Sequence, residues 1–194
     1  MLKKTTAILA VLVAGMAAAQ DINRATFNED GSVDQPENWR SWVFVGAPLT
    51  PNALNGGEAP FPEFHNVYIE PSAFAHWQET GEWADGTQLA KELVLLLDSE
   101  DCQPDSDNGS CAQSSGQGYF QGEFHGLELK VKDASRYAEE PGNWAYFSFG
   151  HQSEPYNETA MAFPTDACNA CHEANAADDF VFTQYYPVLR AAKP

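Results

Sequence analysis

The chain has 194 residues, of which 43% are hydrophobic and 12% aromatic, so its composition is that of one folded domain and not of a disordered chain. Its 28 aspartates and glutamates outnumber 10 lysines and arginines, which gives a net charge of −18. This acidity argues against nucleic acid and anionic membranes as partners, because both attract a basic surface.

The first residues have the layout of a secretory signal peptide. Lys3 and Lys4 precede an apolar stretch from Ala7 to Ala18, which ends in a run of alanines that matches a cleavage site. The stretch is too short to cross a bilayer. We therefore predict that residues 1–19 are removed near Ala19, that the mature protein is periplasmic, and that no membrane span remains. A buried N-terminal helix is the alternative.

The mature chain is predicted to begin with an arm and continue as one domain. Residues 20–37 are polar and predict a flexible N-terminal arm, and residues 38–194 are predicted to form a single domain. Runs of aromatic and β-branched residues predict two short strands early in this domain, at Trp42–Val45 and Asn66–Ile69.

A short helix and an ambiguous segment follow. The helix is predicted over Ser72–Thr80, because Pro71 suits a first turn and Gly81 a helix end. The segment Thr87–Asp98 fits either a helix or a strand. A strand would place one lysine, Lys91, on a face that otherwise contains Thr87, Leu89, Leu93 and Leu95.

Lys91 is a candidate reactive amine. Burial among apolar residues disfavours the charged form of a lysine and leaves a neutral, nucleophilic amine. Three alternatives remain open at this point: the segment is helical, the side chain reaches solvent, or the ammonium group pairs with a carboxylate.

The clearest strand is Tyr119–Asp133, in which alternate residues fall into two sets, Leu127, Leu129 and Val131 on one face and Glu128, Lys130 and Lys132 on the other. Trp144–Phe149 is another predicted strand, and helical signals surround the last two cysteines and Asp178–Tyr186. Together these elements predict an α+β fold, a predominantly antiparallel β-sheet with a few helices, one of them C-terminal.

Two cysteines lie in a long polar loop, Ser99–Gly118. Cys102 and Cys111 are predicted to form a disulfide, because disulfides are stable in an oxidising compartment. Two free thiols, or a metal-binding pair, are the alternatives.

The strongest chemical signal is a C-x-x-C-H motif at Cys168, Cys171 and His172. In an exported protein this motif predicts covalent attachment of one c-type haem, with two thioether bonds from the cysteines and the histidine as axial iron ligand. A thioredoxin-like redox pair and a zinc site are alternatives, but each lacks part of its usual context. A plain disulfide is a third alternative, and it would not need the histidine.

The iron is predicted to have an open sixth position. The tail after His172 contains no methionine or histidine, so a protein ligand would have to come from upstream. The candidates are His65, His76, His125, His151 and Met161. Each of these residues more often packs or hydrogen-bonds than ligates a metal, and an open position favours binding or turnover of a small molecule.

A glycine-rich face is a candidate platform for the haem. Alternate residues of the strand that starts near Gly118 form the series Gly118, Phe120, Gly122, Phe124, Gly126 and Glu128. Glycines on one face allow a flat group to approach the backbone, and Glu128 would then lie at the edge of the haem pocket. Alternatively the glycines permit twist or a bulge, and Glu128 is solvated.

Blocks of sequence from about Asn38 to Lys193 match one known family, namely Asn38–Val43, Leu49–Asn52, Pro62–Tyr68, Ala75–Trp77, Asp85–Thr87, Lys91–Val94, Gly118–Phe120, Gly126–Glu128, Glu140–Ala145, Phe163–Thr165, Cys168–His172 and Phe182–Ala192. In these blocks the chain resembles the cytochrome P-460 family.

The resemblance implies a mostly antiparallel β-fold with a C-terminal haem-attachment helix, usually as a homodimer. It implies one haem c, five-coordinate, attached through Cys168 and Cys171 and ligated by His172. The family lysine that is bonded to a porphyrin meso carbon corresponds to Lys91, and the pocket carboxylate corresponds to Glu128. Family enzymes oxidise hydroxylamine, to nitrous oxide or nitric oxide, and Glu128 is the candidate base.

Two segments depart from the family pattern, the Cys102–Cys111 loop and His151–Met161. Related β-type cytochromes c prime share the fold and the haem motif but lack the lysine bond. A non-enzymatic cytochrome that binds nitric oxide or transfers electrons is therefore the alternative function, and a module without haem is a third. A redox partner cytochrome is expected, and the acidic surface favours a basic one.

Overall fold

The computed structural model describes residues 21–98 and 110–194. The predicted signal peptide and Cys102 lie outside the described residues. In chain order the elements are β1 (Val33–Asp34), β2 (Val43–Gly46), β3 (Phe64–Ile69), α1 (Pro71–Thr80), β4 (Gln88–Leu96), β5 (Cys111–Gln113), β6 (Gly116–Gly118), β7 (Gln121–Lys132), β8 (Trp144–Ser148), β9 (Thr159–Ala160), α2 (Thr165–Asn175) and α3 (Pro187–Ala192).

One antiparallel sheet of five strands organises the domain. Its strand order is β2-β3-β4-β7-β8, and two small two-stranded sheets accompany it. The prediction of an α+β fold dominated by antiparallel sheet is confirmed. The ambiguous segment Thr87–Asp98 is strand β4, paired on both sides, by β3 and by β7.

The register of the sheet places four polar or aromatic residues side by side. Lys91 of β4 lies opposite Glu128 of β7. Two residues along the strands, Leu89 lies opposite Lys130, which in turn lies opposite Tyr146 of β8. Because side chains alternate along a strand, these residues share one face of the sheet.

Both faces of the sheet are covered by apolar clusters. On the face of Leu89, a cluster that includes Trp77, Trp144 and Leu189 packs beneath helices α1 and α3. The other face is covered by a second cluster, in which the predicted set Leu127, Leu129 and Val131 joins Val33, Ala145, Phe147 and Phe149. A central strand buried on both faces explains why β4 has no clear alternation.

The N-terminal segment is packed, and the prediction of a flexible arm over residues 20–37 is wrong for residues 21–37. Val33 is fully buried, and β1 pairs with β9. The ring of Phe27 contacts that of Phe147 at 6.1 Å between centroids. The few apolar residues of this polar stretch give little periodic signal, but Phe27 and Val33 pack in the second core cluster.

The helix predicted over Asp178–Tyr186 is also wrong. Only Thr183–Tyr185 forms a single 3-10 turn, and helix α3 begins after it at Pro187. Asp179 and Phe180 have φ values of 42° and 63°, in the left-handed region. Such a conformation interrupts a right-handed helix and leaves a sharp turn in its place.

Helix α1 agrees with its prediction. The Glu70 carboxylate accepts hydrogen bonds from the backbone N–H groups of Ser72 and Ala73 at 2.8 and 3.0 Å, which caps the first turn. Gly81 ends the helix with φ of 70°. Within the described residues, no helix is long and apolar enough to cross a membrane.

A buried ion pair fixes β4 from the side of the second cluster. Glu92 has a fully buried side chain, and both of its oxygens accept hydrogen bonds from Arg40 Nε at 3.1 Å. The hydroxyl of Tyr156 lies 3.4 Å from the same carboxylate. The pair neutralises the one carboxylate that the alternation of β4 directs into this core.

Removal of Arg40 should therefore destabilise the fold. We expect Arg40→Met to lower the free energy of unfolding by about 3 kcal/mol, because it leaves Glu92 charged, buried and uncompensated. Urea denaturation of the purified parent and variants measures this change in the free energy of unfolding. The matched control is Arg24→Met, which breaks the exposed 2.7 Å ion pair with Asp85. This control should change the free energy of unfolding by about 1 kcal/mol or less. Equal losses in the two variants would contradict this role for Glu92.

Candidate functional site

A cavity of about 400 Å³ lies between the sheet and helix α2. The sheet contributes Leu89, Lys91, Glu128, Lys130 and Tyr146, and the helix contributes Cys168, Cys171 and His172. Phenylalanines from the connecting segments, Phe61, Phe163, Phe180 and Phe182, complete the wall. The structure thus brings Lys91, Glu128 and the C-x-x-C-H residues to one cavity.

Helix α2 directs two residues of the motif to the same side. Cys168 and His172 are four residues apart, which places them on one helix face. Asn169, between the cysteines, is 2% exposed, and its side chain donates a hydrogen bond to the backbone oxygen of Trp144 at 3.0 Å. This bond fixes the helix to strand β8, and the sequence motif alone gave no sign of it.

The two cysteines of the motif are free thiols. Cys168 is partly buried, and burial raises the pKa of its thiol, with a further contribution from the nearby Glu128 charge. Cys171 is exposed at the cavity wall.

His172 is held in the tautomer that a metal ligand requires. Its Nδ1 lies 2.7 Å from the carbonyl oxygen of Phe180. A carbonyl only accepts, so Nδ1 carries the hydrogen and Nε2 keeps its lone pair. Burial, assisted by the charge of Lys130, lowers the pKa of His172 to about 4. The imidazole is therefore neutral and oriented at neutral pH.

The turn at Phe180 supplies the acceptor for this hydrogen bond. The same carbonyl oxygen also accepts a hydrogen bond from the Lys130 ammonium group. The neighbouring Asp179 accepts hydrogen bonds from Lys132 at 2.7 Å and from the Trp144 indole at 3.3 Å. These contacts hold Phe180 in its left-handed conformation, which places its carbonyl beside His172.

Lys130 is a residue of the site that sequence reasoning missed. It is 7% exposed, and its ammonium group lies 3.9 Å from the centre of the Trp144 ring. Burial holds the pKa of Lys130 well below its ordinary value of 10.5, against the opposing influence of Asp179. Its position on the same strand face as Glu128 was the available signal, but the turn that covers it comes from a distant part of the chain.

Lys91 and Glu128 form an ion pair at the cavity wall. Lys91 Nζ lies 2.5 Å from Glu128 Oε2, and each side chain is 25% exposed. The ammonium group also lies over the ring of Phe61, 4.2 Å from its centre. Of the alternatives for Lys91, the structure shows a strand position with a carboxylate partner.

The lining of the cavity fits a haem. Its surface is mainly apolar and aromatic, as is typical of sites for large flat cofactors. The Tyr146 hydroxyl is buried without a hydrogen-bond partner among the described residues. An unpartnered polar atom on such a wall indicates that a bound group completes the site.

The glycine-rich face is not a haem platform. The glycines and phenylalanines from Gly118 to Gly126 do not line the cavity. A Cβ atom at Gly126 would lie 3.2 Å from the backbone oxygen of Gly150, and one at Gly122 would lie 3.1 Å from that of Leu96. These glycines admit neighbouring backbone, and the register between β4 and β7 shifts at this point, as the bulge alternative predicted.

None of the five candidates for a sixth iron ligand lines the cavity, and all five are described residues. The rings of His65 and His151 contact Phe61, that of His125 contacts His151, and Met161 is 62% exposed. Cys111 is buried and disulfide-bonded. Because Cys102 lies outside the described residues, its pairing with Cys111 stays a prediction.

Comparison with known proteins identifies the family. The family model Cytochrome P460 matches residues 36–183 of this chain. No curated protein matches the chain. The match covers well over half of the sequence, so the chain belongs to the cytochrome P460 family, a family of mono-haem c-type cytochromes with oxidoreductase-type activity.

The buried amine of Lys130 should make stability depend on pH. The pKa of Lys130 lies well below 10.5 in the folded protein and near 10.5 in the unfolded chain. Between these two pKa values the unfolded chain binds one proton more than the folded protein does, so the free energy of unfolding rises with pH in this range. In this range the unfolding free energy of the parent, measured against that of Lys130→Met, should increase by up to about 1.4 kcal/mol per pH unit.

Denaturation at a series of alkaline pH values measures this difference. The control is Arg24→Met, which removes an exposed cation, retains Lys130 and should keep the slope of the parent. A constant difference between the parent and Lys130→Met would show that Lys130 titrates normally.

Proposed function

We propose that this cytochrome P460 family member binds one haem c in the described cavity and oxidises hydroxylamine there. The observation that supports the proposal most directly is the placement of Lys91 and Glu128 on the sheet face opposite the C-x-x-C-H helix. When bound, the haem supplies an iron that takes electrons from the substrate and passes them to an acceptor protein.

The helix residues would hold the cofactor. Cys168 and Cys171 are the proposed thioether anchors, and His172 is the proposed axial ligand through Nε2. The hydrogen bond from Nδ1 to Phe180 supports this role, because a second partner on the other ring nitrogen orients a metal-ligating histidine. No side chain other than His172 is proposed to ligate the iron, since none of the other candidate ligands lines the cavity.

Glu128 is the proposed proton acceptor. Two hydroxylamine molecules give one nitrous oxide, one water, four protons and four electrons, so the site must remove protons while the electrons leave. Glu128 faces the cavity and is the only carboxylate among its described lining residues. A carboxylate that faces a mostly apolar cavity accepts a proton more readily once a nearby cation is lost.

Lys91 is the proposed partner in a covalent bond to the porphyrin. Its amine faces the cavity from a central strand, and the adjacent Glu128 accepts a hydrogen bond from it. Formation of this C–N bond breaks one N–H bond of the amine and the C–H bond of the meso carbon and releases two protons and two electrons, so it needs a two-electron oxidant such as a peroxide. The bonded amine would no longer carry the positive charge that now pairs with Glu128. The two assignments are therefore linked, because the bonded lysine leaves Glu128 as the free base of the site.

A second function is favoured by one observation. Lys91 pairs with Glu128 at 2.5 Å, and a lysine retained in this ion pair stays unbonded to the haem. The protein would then bind nitric oxide or transfer electrons without turnover, as in β-type cytochromes c prime. Measurement of hydroxylamine turnover by the purified holoprotein distinguishes the two functions.

The remaining proposals concern the setting of the protein. We propose export to the periplasm after cleavage near Ala19, assembly as a homodimer, and electron transfer to a partner cytochrome. The net charge of −18 supports a partner with a basic docking face, which raises the rate of encounter.

Substitution of Glu128 should slow turnover. We expect Glu128→Gln to lower the rate of hydroxylamine oxidation about a hundredfold or more, the range for loss of a general base. The variant should still bind nitric oxide, as measured by the change in its absorption spectrum. The matched control is Glu123→Gln, an exposed carboxylate of the same strand, which should keep the parent rate. A Glu128→Gln enzyme with the parent rate would remove this residue from the mechanism.

Substitution of Lys91 should change the spectrum of the protein but not its haem content. In Lys91→Met the intact mass is expected to include one haem, because the cysteine bonds remain. The absorption spectrum should move to that of an ordinary high-spin c haem. Arg24→Met, which removes an exposed cation that does not line the cavity, is the control. An unchanged spectrum in Lys91→Met would show that the lysine bond is absent and would favour the second function.

A further inference from the structure

A cluster of one carboxylate and two imidazoles lies outside the haem cavity. Glu63 precedes strand β3, His125 belongs to β7, and His151 follows β8. One ligand atom from each residue lies within 4.8 Å of the others. The three side chains come from three separate segments, so the fold and not local sequence brings them together.

A β-bulge directs His125 to this cluster. Leu93 pairs with Gly126 and the next residue, Val94, pairs with Phe124, so His125 is the extra residue of β7. Bulges re-aim a side chain relative to the regular alternation of a strand. The ring of His125 lies 5.2 Å from that of His151.

A glycine brings the third residue close. A Cβ atom at Gly126 would lie 3.2 Å from the backbone oxygen of Gly150 and 3.5 Å from Cα of His151. Only the missing side chain allows the segment after β8 to approach β7 so closely. The bulge and the glycine together place His151 beside His125.

Two atoms of the cluster are buried without partners. Glu63 is 3% exposed; its Oε1 lies 2.7 Å from Nε2 of His151, while Oε2 has no partner among the described residues. His125 Nδ1 is also buried and unpartnered. Buried polar atoms are normally satisfied, so a lone acceptor and an imidazole nitrogen in one cluster indicate a missing ligand.

The donor set determines which ligand fits. Two imidazoles and a carboxylate suit first-row transition ions, whereas Mg²⁺ and Ca²⁺ prefer oxygen ligands throughout. His151 has a 45% exposed side chain, so the cluster is open to solvent on one side. We propose that Glu63, His125 and His151 bind a divalent transition ion of the zinc class, with a further position open to water.

The proposed metal site adjoins the haem cavity but is separate from it. Phe61, which lines the cavity, stacks on His151 with ring centres 6.2 Å apart and also lies over the Lys91 ammonium group. An ion bound here would tie the segment before β3 to the segment after β8. It would thereby fix Phe61 at the rim, between the two sites.

Zinc binding to the untagged, haem-loaded protein tests the proposal. The protein is first treated with a chelator and then dialysed against buffered zinc, and zinc and iron are counted by elemental analysis. We expect one zinc per chain, in addition to the haem iron, at about 1 µM free zinc. Absence of bound zinc at this concentration would overturn the proposal.

Histidine variants identify the ligands. His151→Asn and His125→Asn should each weaken zinc binding at least tenfold, while His76→Asn, in helix α1, should bind as the parent does. The haem spectrum reports whether each variant is folded. Zinc held elsewhere, for example by unattached Cys168 and Cys171, would be insensitive to His151→Asn and His125→Asn, and that result would also overturn the assignment.

Discussion

The register of β4 against β7 is the constraint on which the site depends. It sets Lys91 opposite Glu128 and Leu89 opposite Lys130, and these pairs form the floor of the cavity. A slip of β4 by one residue would turn Lys91 and Leu89 to the other face of the sheet. The ion pair between the buried Glu92 carboxylate and Arg40 opposes such a shift, because the shift would separate this carboxylate from the Arg40 guanidinium group.

The opposite wall of the cavity is fixed by backbone carbonyls. Asn169 binds the carbonyl of Trp144, and His172 binds the carbonyl of Phe180. Lys130 contributes to this wall from the sheet, since its ammonium group donates to the same oxygen as His172. The sheet and the helix thus meet at one acceptor atom, and the imidazole that would ligate iron is oriented by both.

Sequence reasoning succeeded where a local pattern was sufficient. The alternation around Glu128 predicted the correct faces of β7, and the signals at Pro71 and Gly81 predicted helix α1 closely. It failed where a distant segment decided the outcome. Lys130 is covered by the turn at Phe180, and the predicted arm is held by contacts of Val33 with a strand more than a hundred residues away. No local pattern of propensity reports such contacts.

The incorrect prediction for the glycine-rich face and the cluster of Glu63, His125 and His151 have the same physical cause, the bulge in β7. The bulge at His125, three residues before Glu128, interrupts the regular alternation of β7, and the glycines and phenylalanines of the predicted series do not line the cavity. The same bulge turns His125 towards Glu63, and Gly126 admits the backbone that bears His151. One inserted residue therefore limits the haem-facing surface on one side and assembles three potential metal ligands on the other, with Phe61 between them.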